Sequence, residues 1–205
     1  MTDRFAEKAS DWDSRPVPLQ ISQAVGRLLD GLEWDPSMRV MDFGAGTGLL
    51  AAHVAPHVAK IFAVDVSPSM LEALTAKPEL QGKVEPRCQD LLASPLNDRF
   101  DAIISAMALH HVEDTEAVAA RFAEHLKPGG RLALADLDEE DGTFHPPGTE
   151  GVFHRGFRRD ALRSILEAQG FEDVRFTTAL DIEKDGGRQF TVFFVTARKA
   201  VGPAL

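Results

Sequence analysis

The sequence of 205 residues contains no tyrosine and only one cysteine, Cys88. A single cysteine cannot form a disulfide within the chain or supply a cluster of thiolate metal ligands, and without tyrosine no phenol can act as a base. No apolar run approaches the roughly 20 residues that a membrane-spanning helix needs. The opening stretch, residues 1–16, is charged and does not resemble a secretory signal. These absences predict a cytoplasmic chain with a free thiol and no membrane partner.

Basic residues are also scarce in this sequence. There are 22 lysines and arginines against 32 aspartates and glutamates, which gives a formal net charge of −10 and disfavours a polyanionic partner. The densest basic cluster is small and consists of Arg155, Arg158, Arg159 and Arg163. We therefore expect no nucleic-acid partner. The length of the chain favours a single domain.

The first two thirds of the sequence alternate between short apolar runs and amphipathic segments. The predicted strands of this part are residues 39–43, 60–66, 83–91, 100–107 and 130–137. The helices predicted between them are residues 48–58, 67–77 and 114–130, and the last of these is expected to end at Pro128 and Gly129. Strands that alternate with helices indicate a mostly parallel sheet, which binds ligands at the carboxyl ends of its strands.

The end of the chain departs from this alternation. A helix predicted over residues 158–171 is followed by two strands, 173–184 and 189–199, which are joined by a short glycine turn. Two strands joined in this way are antiparallel. The predicted fold class is therefore α/β: a Rossmann-like doubly wound sheet, mostly parallel, with an antiparallel C-terminal hairpin strand.

A glycine-rich loop follows the first predicted strand. The stretch VMDFGAGTGLL, residues 40–50, contains Gly44, Gly46 and Gly48. Glycine tolerates unusual dihedral angles and lets a ligand approach the main chain, so a strand, a glycine loop and a helix indicate a nucleotide-type site. Leu49 stands where dinucleotide-binding loops have their third glycine. Glycines that only shape the turn would give a similar pattern.

Three acidic residues stand at the carboxyl ends of the first three predicted strands: Asp42, Asp65 and Asp90. Asp65 lies about 20 residues after the loop, where an acid can accept hydrogen bonds from ribose hydroxyls. No lysine or arginine stands beside these acids, which favours a ligand with positive charge and a ribose over one with phosphates. The alternative interpretation is that each aspartate caps a helix or a turn.

Five motifs follow one another across roughly residues 35–137: VMDFGAGTGLL, FAVDVSPSMLEAL, QDLLAS, FDAIISAMALHHVED and LKPGGRLALADL. Their order and spacing resemble those of the class I S-adenosylmethionine-dependent methyltransferases, and most of all the small, insertion-poor type that acts on small molecules. The resemblance implies S-adenosylmethionine as cofactor, S-adenosylhomocysteine as product and a small-molecule methyl acceptor. We expect the protein to be a monomer or a homodimer.

The resemblance also implies a division of the chain, a single methyltransferase domain over residues 1–205. Its expected parts are N-terminal cap helices in 1–34, a cofactor-binding core in 35–137, a lid loop in 138–157, and a C-terminal helix and hairpin in 158–199.

The same resemblance assigns a set of residues to the cofactor. They are Asp42, Gly44, Ala45, Gly46, Gly48, Asp65, Val66, Met70, Asp90, Leu91, Ser105 and Ala106. In this assignment Asp42 holds the methionine amino group directly or through water, Asp65 binds both ribose hydroxyls, and Asp90 accepts from the exocyclic amine of the adenine. Apolar side chains flank the adenine, and the residues at the end of the fourth strand close its other side.

Methyl transfer from a sulfonium mainly requires positioning, and a base helps when the acceptor is a hydroxyl or an ammonium. Histidine is the natural base near neutral pH. The candidates are His111, after the fourth strand, and His145 and His154, in the irregular loop. Of the adjacent pair, His110 and His111, one is expected to pack and cap while the other faces the cavity.

The remaining histidines are not expected to have a catalytic role. His53 and His57 are one helical turn apart, but no carboxylate stands at ligand spacing, so they are interpreted as a solvated helix face and no metal site is expected. His125 is expected on the surface.

Aromatic residues are candidates for a lid over the substrate: Trp12, Phe144, Phe153 and Phe157. Irregular loops as long as the one in residues 138–157 are often lids or binding loops. The alternative is that these side chains pack on the sheet and serve no substrate.

Two rival functions remain open at this point. A nicotinamide-dependent oxidoreductase would require a G-x-G-x-x-G loop and a hydride-site pair, and neither is found in the sequence. A non-catalytic, regulatory S-adenosylmethionine-binding protein would keep the glycine loop and Asp65 but would need no open substrate pocket. Among methyltransferases, the single cysteine argues against an arsenic substrate, and the Asn/Asp-Pro-Pro-Tyr motif of enzymes that methylate amino groups of nucleic acids is missing.

Overall fold

The computed structural model describes residues 3–184 and 186–202. Its centre is a seven-stranded sheet with the strand order β3-β2-β1-β4-β5-β7-β6. The strands are β1 (Arg39–Phe43), β2 (Lys60–Asp65), β3 (Val84–Cys88), β4 (Phe100–Ala106), β5 (Leu126–Leu137), β6 (Phe171–Lys184) and β7 (Arg188–Lys199). Neighbours from β3 to β5 are parallel, whereas β7 is antiparallel to β5 and to β6. This arrangement confirms the predicted fold class.

Within the described ranges, six α-helices connect and flank these strands. They are α1 (Ala6–Ala9), α2 (Pro16–Asp30), α3 (Ala51–Val54), α4 (Pro68–Thr75), α5 (Thr115–His125) and α6 (Arg159–Ala168). The start of α4 is set by Ser67, whose Oγ accepts a hydrogen bond from the Met70 N–H at 3.2 Å, and by Pro68 at the first helical position. Among the described residues, no helix has the length and apolar content needed to cross a bilayer.

Two predicted helix boundaries were wrong. The helix predicted over residues 48–58 is reduced to α3, because Pro56 lies in a 3₁₀ turn that follows it. Helix α5 ends at His125, and β5 begins at Leu126 and contains Pro128 and Gly129. Strand β5 therefore starts four residues before the predicted strand of residues 130–137.

The prediction that His125 lies on the surface was also wrong, because only 3% of this residue is exposed. Its Nδ1 lies 2.7 Å from the backbone oxygen of Arg121, and its Nε2 lies 3.0 Å from the backbone nitrogen of Leu96. The polar ring atoms are satisfied inside the protein, which is how a buried histidine is tolerated.

The sheet separates two hydrophobic clusters. Adjacent residues of β4 point to opposite faces: Ile104 belongs to the cluster under α2 and α3, and Ile103 to the cluster under α5 and α6. Phe144 packs in the first cluster and Phe157 in the second, at 5% and 9% exposure. The packing of these two phenylalanines favours the alternative to a lid, since burying such a side chain stabilises the fold by about 1.5–3 kcal/mol.

Candidate active site

The turn after β1 brings bare main chain to the carboxyl edge of the sheet. Gly44 and Gly46 have φ angles of +65° and +52°, in the left-handed region that favours glycine. A Cβ at Gly44 would lie 2.2 Å from the Cβ of Ala108, so a side chain there would collide with the segment after β4. A Cβ at Gly46 would meet no atom within 4 Å. The loop is therefore packed at Gly44 and open at Gly46, where a ligand can lie along the main chain.

Asp42, at the end of β1, is a buried acid with an unused oxygen. It is 1% exposed, and within the part of the chain that the structure describes its Oδ2 has no hydrogen-bond partner. Burial, together with the charge of Asp65, raises the pKa of Asp42 well above its usual value, although the backbone N–H of Ala51 favours the charged form. An unpaired buried carboxylate is costly, so a cationic group beside it would be strongly stabilised.

Asp65, at the end of β2, connects the glycine loop to the next helix. Its Oδ2 accepts from the Gly46 N–H at 2.8 Å, and its Oδ1 accepts from the Ser67 N–H at 2.8 Å. Burial raises the pKa of Asp65, and these backbone hydrogen bonds oppose that rise. Each carboxylate oxygen can accept more than one hydrogen bond, so both remain able to accept hydroxyl groups.

The N-terminal segment (residues 3–14) lies across the same edge of the sheet. The carboxylate of Asp3 accepts from the Ser67 Oγ at 2.8 Å, at the start of α4. The carboxylate of Asp13 accepts from the Thr47 Oγ1 at 2.5 Å, in the glycine loop. Asp3 and Asp13 thus attach the segment to the start of α4 and to the glycine loop. Asp65 connects the same two elements.

Aromatic contacts continue this segment toward the end of β4. The ring of Phe5 meets Trp12 edge-on at 6.2 Å between centroids, and it meets His111 edge-on at 5.8 Å. Trp12 is therefore part of the segment's own packing, and its predicted role as a lid residue stays a prediction.

Three histidines meet beside this segment, and we refer to His110, His111 and His145 as the histidine cluster. His110 is 1% exposed, and its Nδ1 lies 2.7 Å from the Oδ1 of Asp136 on β5. The Nδ1 of His111 lies 2.7 Å from the backbone oxygen of Gly151. The Nε2 of His145 lies 3.1 Å from the Nε2 of His110. Residues far apart in the sequence thus bring three imidazoles into contact.

The charges of the histidine cluster are set by burial and by Asp136. Burial by itself would lower the pKa of His110, but the charge and hydrogen bond of Asp136 raise it overall. Burial and the neighbouring His110 lower the pKa of His111 and of His145 to about 4. Near neutral pH, His111 and His145 are therefore uncharged and keep a nitrogen lone pair.

His154, the third predicted base, lies outside this cluster. Its Nε2 lies 2.9 Å from the backbone oxygen of Val112 and 3.2 Å from the Thr115 Oγ1. The backbone oxygen of His110 accepts from the N–H groups of Phe153 and His154, at 3.0 Å and 3.2 Å. These contacts attach the loop of residues 138–157 to the end of β4.

Comparison with known proteins identifies this arrangement. A family model described as a methyltransferase domain matches residues 15–175, which is more than half of the chain. The chain belongs to this methyltransferase family. The predicted resemblance to class I S-adenosylmethionine-dependent methyltransferases is thereby confirmed, and S-adenosylmethionine is the cofactor of that family.

Individual methyltransferases are similar to this chain in sequence. The chain is 32% identical over 149 residues to a ubiquinone biosynthesis O-methyltransferase of Xanthomonas axonopodis pv. citri, covering 69% of this chain and 62% of that protein. It is 28% identical over 198 residues to the uncharacterised methyltransferase YrrT of Bacillus subtilis, covering 86% and 92%. The chain spans less than two thirds of the length of several curated relatives that it matches.

A solved structure with a similar fold is that of the N-methyltransferase NodS from Bradyrhizobium japonicum in complex with S-adenosylhomocysteine. Its TM-score is 0.68 at 18% identity, covering 91% of this chain and 89% of that one. At this identity the match supports the fold of the chain and not its substrate.

The residues of this chain fit the cofactor of its family. The unpaired Oδ2 of Asp42 is suited to an ammonium group, the carboxylate of Asp65 to hydroxyls, and the open face of Gly46 to close approach of a ligand. The donor set contains two carboxylates and no basic side chain, which matches a cationic ligand better than a phosphate-bearing one.

Other residues that the sequence assigned to the cofactor have structural contacts of their own. Asp90 caps a turn, because its Oδ1 accepts from the Leu92 N–H at 2.8 Å. The Oγ of Ser105 donates to the backbone oxygen of Phe43 at 2.7 Å. The rest of the set divides by exposure: Ala45, Gly48, Met70 and Leu91 are buried, Ala106 is partly buried, and Val66 is 51% exposed. The cofactor contacts of these residues stay predictions.

Sequence reasoning missed Asp136, Asp3 and Asp13. Asp136 is fully buried and accepts from Leu109 N–H and His110 N–H at 2.9 Å and 3.2 Å, besides the His110 ring. An acid in the otherwise apolar stretch LALADL was the signal that could have revealed it. Asp3 and Asp13 carried no such signal, because their partners are distant in sequence.

Proposed function

We propose that this protein is an enzyme that transfers a methyl group from S-adenosylmethionine to an O, N, C or S atom of a small molecule. The observation that carries the proposal is the unpaired, buried Oδ2 of Asp42 beside the open glycine loop. A carboxylate kept in this state is expensive for folding alone, and a cationic amino acid moiety explains it. When bound, the cofactor supplies an activated methyl group on a positively charged sulfur.

The residues of the chain then bind the cofactor and orient its methyl group. Asp42 pairs with the ammonium group, and Asp65 accepts from the two ribose hydroxyls while its position is held by Gly46 and Ser67. The main chain at Gly46 gives these groups room. Positioning of this kind can supply roughly 7–11 kcal/mol of the barrier reduction in a two-reactant displacement.

We assign the binding of the methyl acceptor to the histidine cluster and the N-terminal segment. His111 and His145 are uncharged near neutral pH, so their nitrogen lone pairs are available to the acceptor or to a group that holds it. Phe5 covers His111, and Asp3 and Asp13 fix the segment that carries it. We propose that this segment excludes water from the cleft. His154, whose ring is held by Val112 and Thr115, is assigned to loop attachment in place of catalysis.

A small acceptor is favoured over a macromolecule for two reasons. The N-terminal segment is attached to the start of α4 and to the glycine loop, and the loop of residues 138–157 is attached to the turn after β4, so both lie beside the site and narrow it. The chain is also acidic, with a net charge of −10, which opposes nucleic acid. A cytoplasmic location and a monomer or homodimer are proposed with it.

Cofactor binding is tested by isothermal titration with S-adenosylmethionine and, separately, with NADH. We expect binding of S-adenosylmethionine only. Asp65→Asn should weaken it about 10–100-fold, since hydrogen bonds to a charged acceptor contribute about 1.5–3 kcal/mol each. The matched control is Asp160→Asn, an exposed acid paired with Arg158 at the surface. Preferential binding of NADH would contradict the proposal and favour an oxidoreductase.

Catalysis is tested by incubating the protein with tritiated-methyl S-adenosylmethionine and fractionated pools of small molecules. Label transferred to a low-mass product by the wild-type protein, and lost in Asp65→Asn, is the expected result. Tight binding without transfer to any pool would favour the non-catalytic, cofactor-binding alternative.

A further inference from the structure

We propose that the histidine cluster is a binding site for one divalent metal ion of the zinc class, beside the cofactor residues on the acceptor side. One ligand nitrogen from each of His110, His111 and His145 lies within 4.8 Å of the other two. Three imidazoles are a ligand set that zinc takes in proteins, and they leave a fourth position open.

The first reason for a metal site is the hydrogen-bond partners of the His110 and His111 rings on the side away from the cluster. The Nδ1 of His110 faces the carboxylate of Asp136, which can only accept, so this nitrogen carries the proton. The Nδ1 of His111 faces the carbonyl of Gly151 and carries its proton for the same reason. In its neutral form each ring then has its lone pair on Nε2, where a metal ion in place of a proton can take it. A histidine held by a carboxylate or a carbonyl through its other nitrogen is the usual arrangement at metal sites.

The distance between the facing nitrogens gives the second reason. The Nε2 atoms of His110 and His145 are 3.1 Å apart. In a tetrahedral site with Zn–N bonds of 2.0–2.1 Å, two ligand nitrogens are separated by about 3.3 Å. His110 and His145 are thus already close to the separation that one ion requires. His145 lies in the partly exposed loop of residues 138–157, so its ring can adjust more easily than that of the buried His110.

The location of the cluster suggests what the ion would hold. His110 and His111 lie in the short turn Leu109–His111 after β4, and Ala108 at the start of this turn contacts the glycine loop at Gly44. Phe5 of the N-terminal segment covers His111 on another side. Resting on the proposed function, we infer that an oxygen or sulfur donor of the methyl acceptor takes the fourth position. An ion there would lower the pKa of such a donor group.

The experiment is a Co²⁺ titration of the full chain after removal of metal by a chelator and gel filtration. Because tetrahedral Co²⁺ absorbs strongly in the visible range and octahedral Co²⁺ does not, the spectrum reports the geometry. We expect one equivalent of tetrahedral Co²⁺, displaced by Zn²⁺. His145→Ala and His111→Ala should each lose the spectrum. His57→Ala, which removes an exposed histidine outside the cluster, should retain it.

Two results would overturn the proposal. One is the absence of stoichiometric Co²⁺ binding by the wild-type protein. The other is a spectrum that His145→Ala leaves unchanged while circular dichroism shows both proteins folded. The titration with S-adenosylmethionine is independent of both results: if cofactor binding fails and Co²⁺ binding persists, the proposed function is wrong and the metal site stands.

Discussion

Asp42 and Asp136 are both buried aspartates at the carboxyl ends of strands, and their surroundings give them opposite properties. Asp136 accepts hydrogen bonds from the His110 ring and from backbone N–H groups, and these contacts lower its pKa despite burial. Asp42 has an unpaired oxygen and a raised pKa. Asp136 is therefore stabilising within the protein alone, whereas Asp42 becomes stabilising only with a ligand.

The first prediction at this scale concerns Asp42→Asn. We expect the free energy of unfolding of the ligand-free protein to rise by about 1–3 kcal/mol at neutral pH, because the variant has no carboxyl group that folding must either protonate or bury without a partner. Since folding raises the pKa of Asp42, the wild-type carboxylate costs more stability as the pH rises above its ordinary value of 3.8. The advantage of the variant should therefore grow with pH and then level off above the raised pKa.

Chemical denaturation at several pH values measures this difference, and calorimetric titration should show that the variant binds S-adenosylmethionine poorly. A variant less stable than the wild type at neutral pH would mean that Asp42 has a structural partner in the folded chain.

The second residue-scale prediction is the reverse case, Asp136→Asn. Removing one partner of a buried, hydrogen-bonded pair typically costs about 3–5 kcal/mol. We expect a loss of that order in denaturant unfolding, together with loss of the ordered position of His110. Equal stability of Asp136→Asn and wild type would show that the Asp136–His110 pair does not stabilise the segment after β4.

At the scale of elements, the N-terminal segment is held by polar contacts more than by apolar burial. Asp3 is the main example. Burial alone would raise its pKa, but hydrogen bonds from Ser67, Ser69 and the Phe5 N–H outweigh this and lower it to about 2. Because the folded pKa is depressed, the contribution of Asp3 is present above about pH 4 and is lost as the pH falls through 2.

The corresponding prediction is that Asp3→Ala loosens the segment without unfolding the domain. Amide hydrogen exchange should become faster in residues 3–14, while the sheet keeps the protection of the wild-type protein, because local openings need not involve the core. Asp160→Ala is the control and should change neither region. Uniformly faster exchange across the sheet would show instead that the segment and the core unfold together.

At the scale of the whole molecule, the sheet places Asp42, Asp65 and Gly46 together at the carboxyl ends of β1 and β2 and in the turn after β1. A ligand that contacts Asp42, Asp65 and Gly46 therefore connects the ends of two neighbouring strands of the central sheet. Binding to the folded state alone stabilises it by mass action, by about 2.7 kcal/mol when the ligand is at 100 times its Kd.

For a chain of this length, we expect S-adenosylmethionine at that concentration to raise the Tm by roughly 5–10 °C. Differential scanning fluorimetry measures the shift, and Asp65→Asn at the same ligand concentration should show a much smaller one. A Tm that does not respond to S-adenosylmethionine would contradict the assignment of this edge as the cofactor site.

The sequence by itself determined the order of strands and helices, the glycine loop and the acids Asp42 and Asp65. These features are readable because each depends on a local period, a local turn or a residue at a strand end. Only the tertiary structure decided that His145 meets His110, that Asp3 meets Ser67, and that Phe144 is buried. Such contacts depend on how distant loops pack over the sheet, and no local pattern encodes that packing.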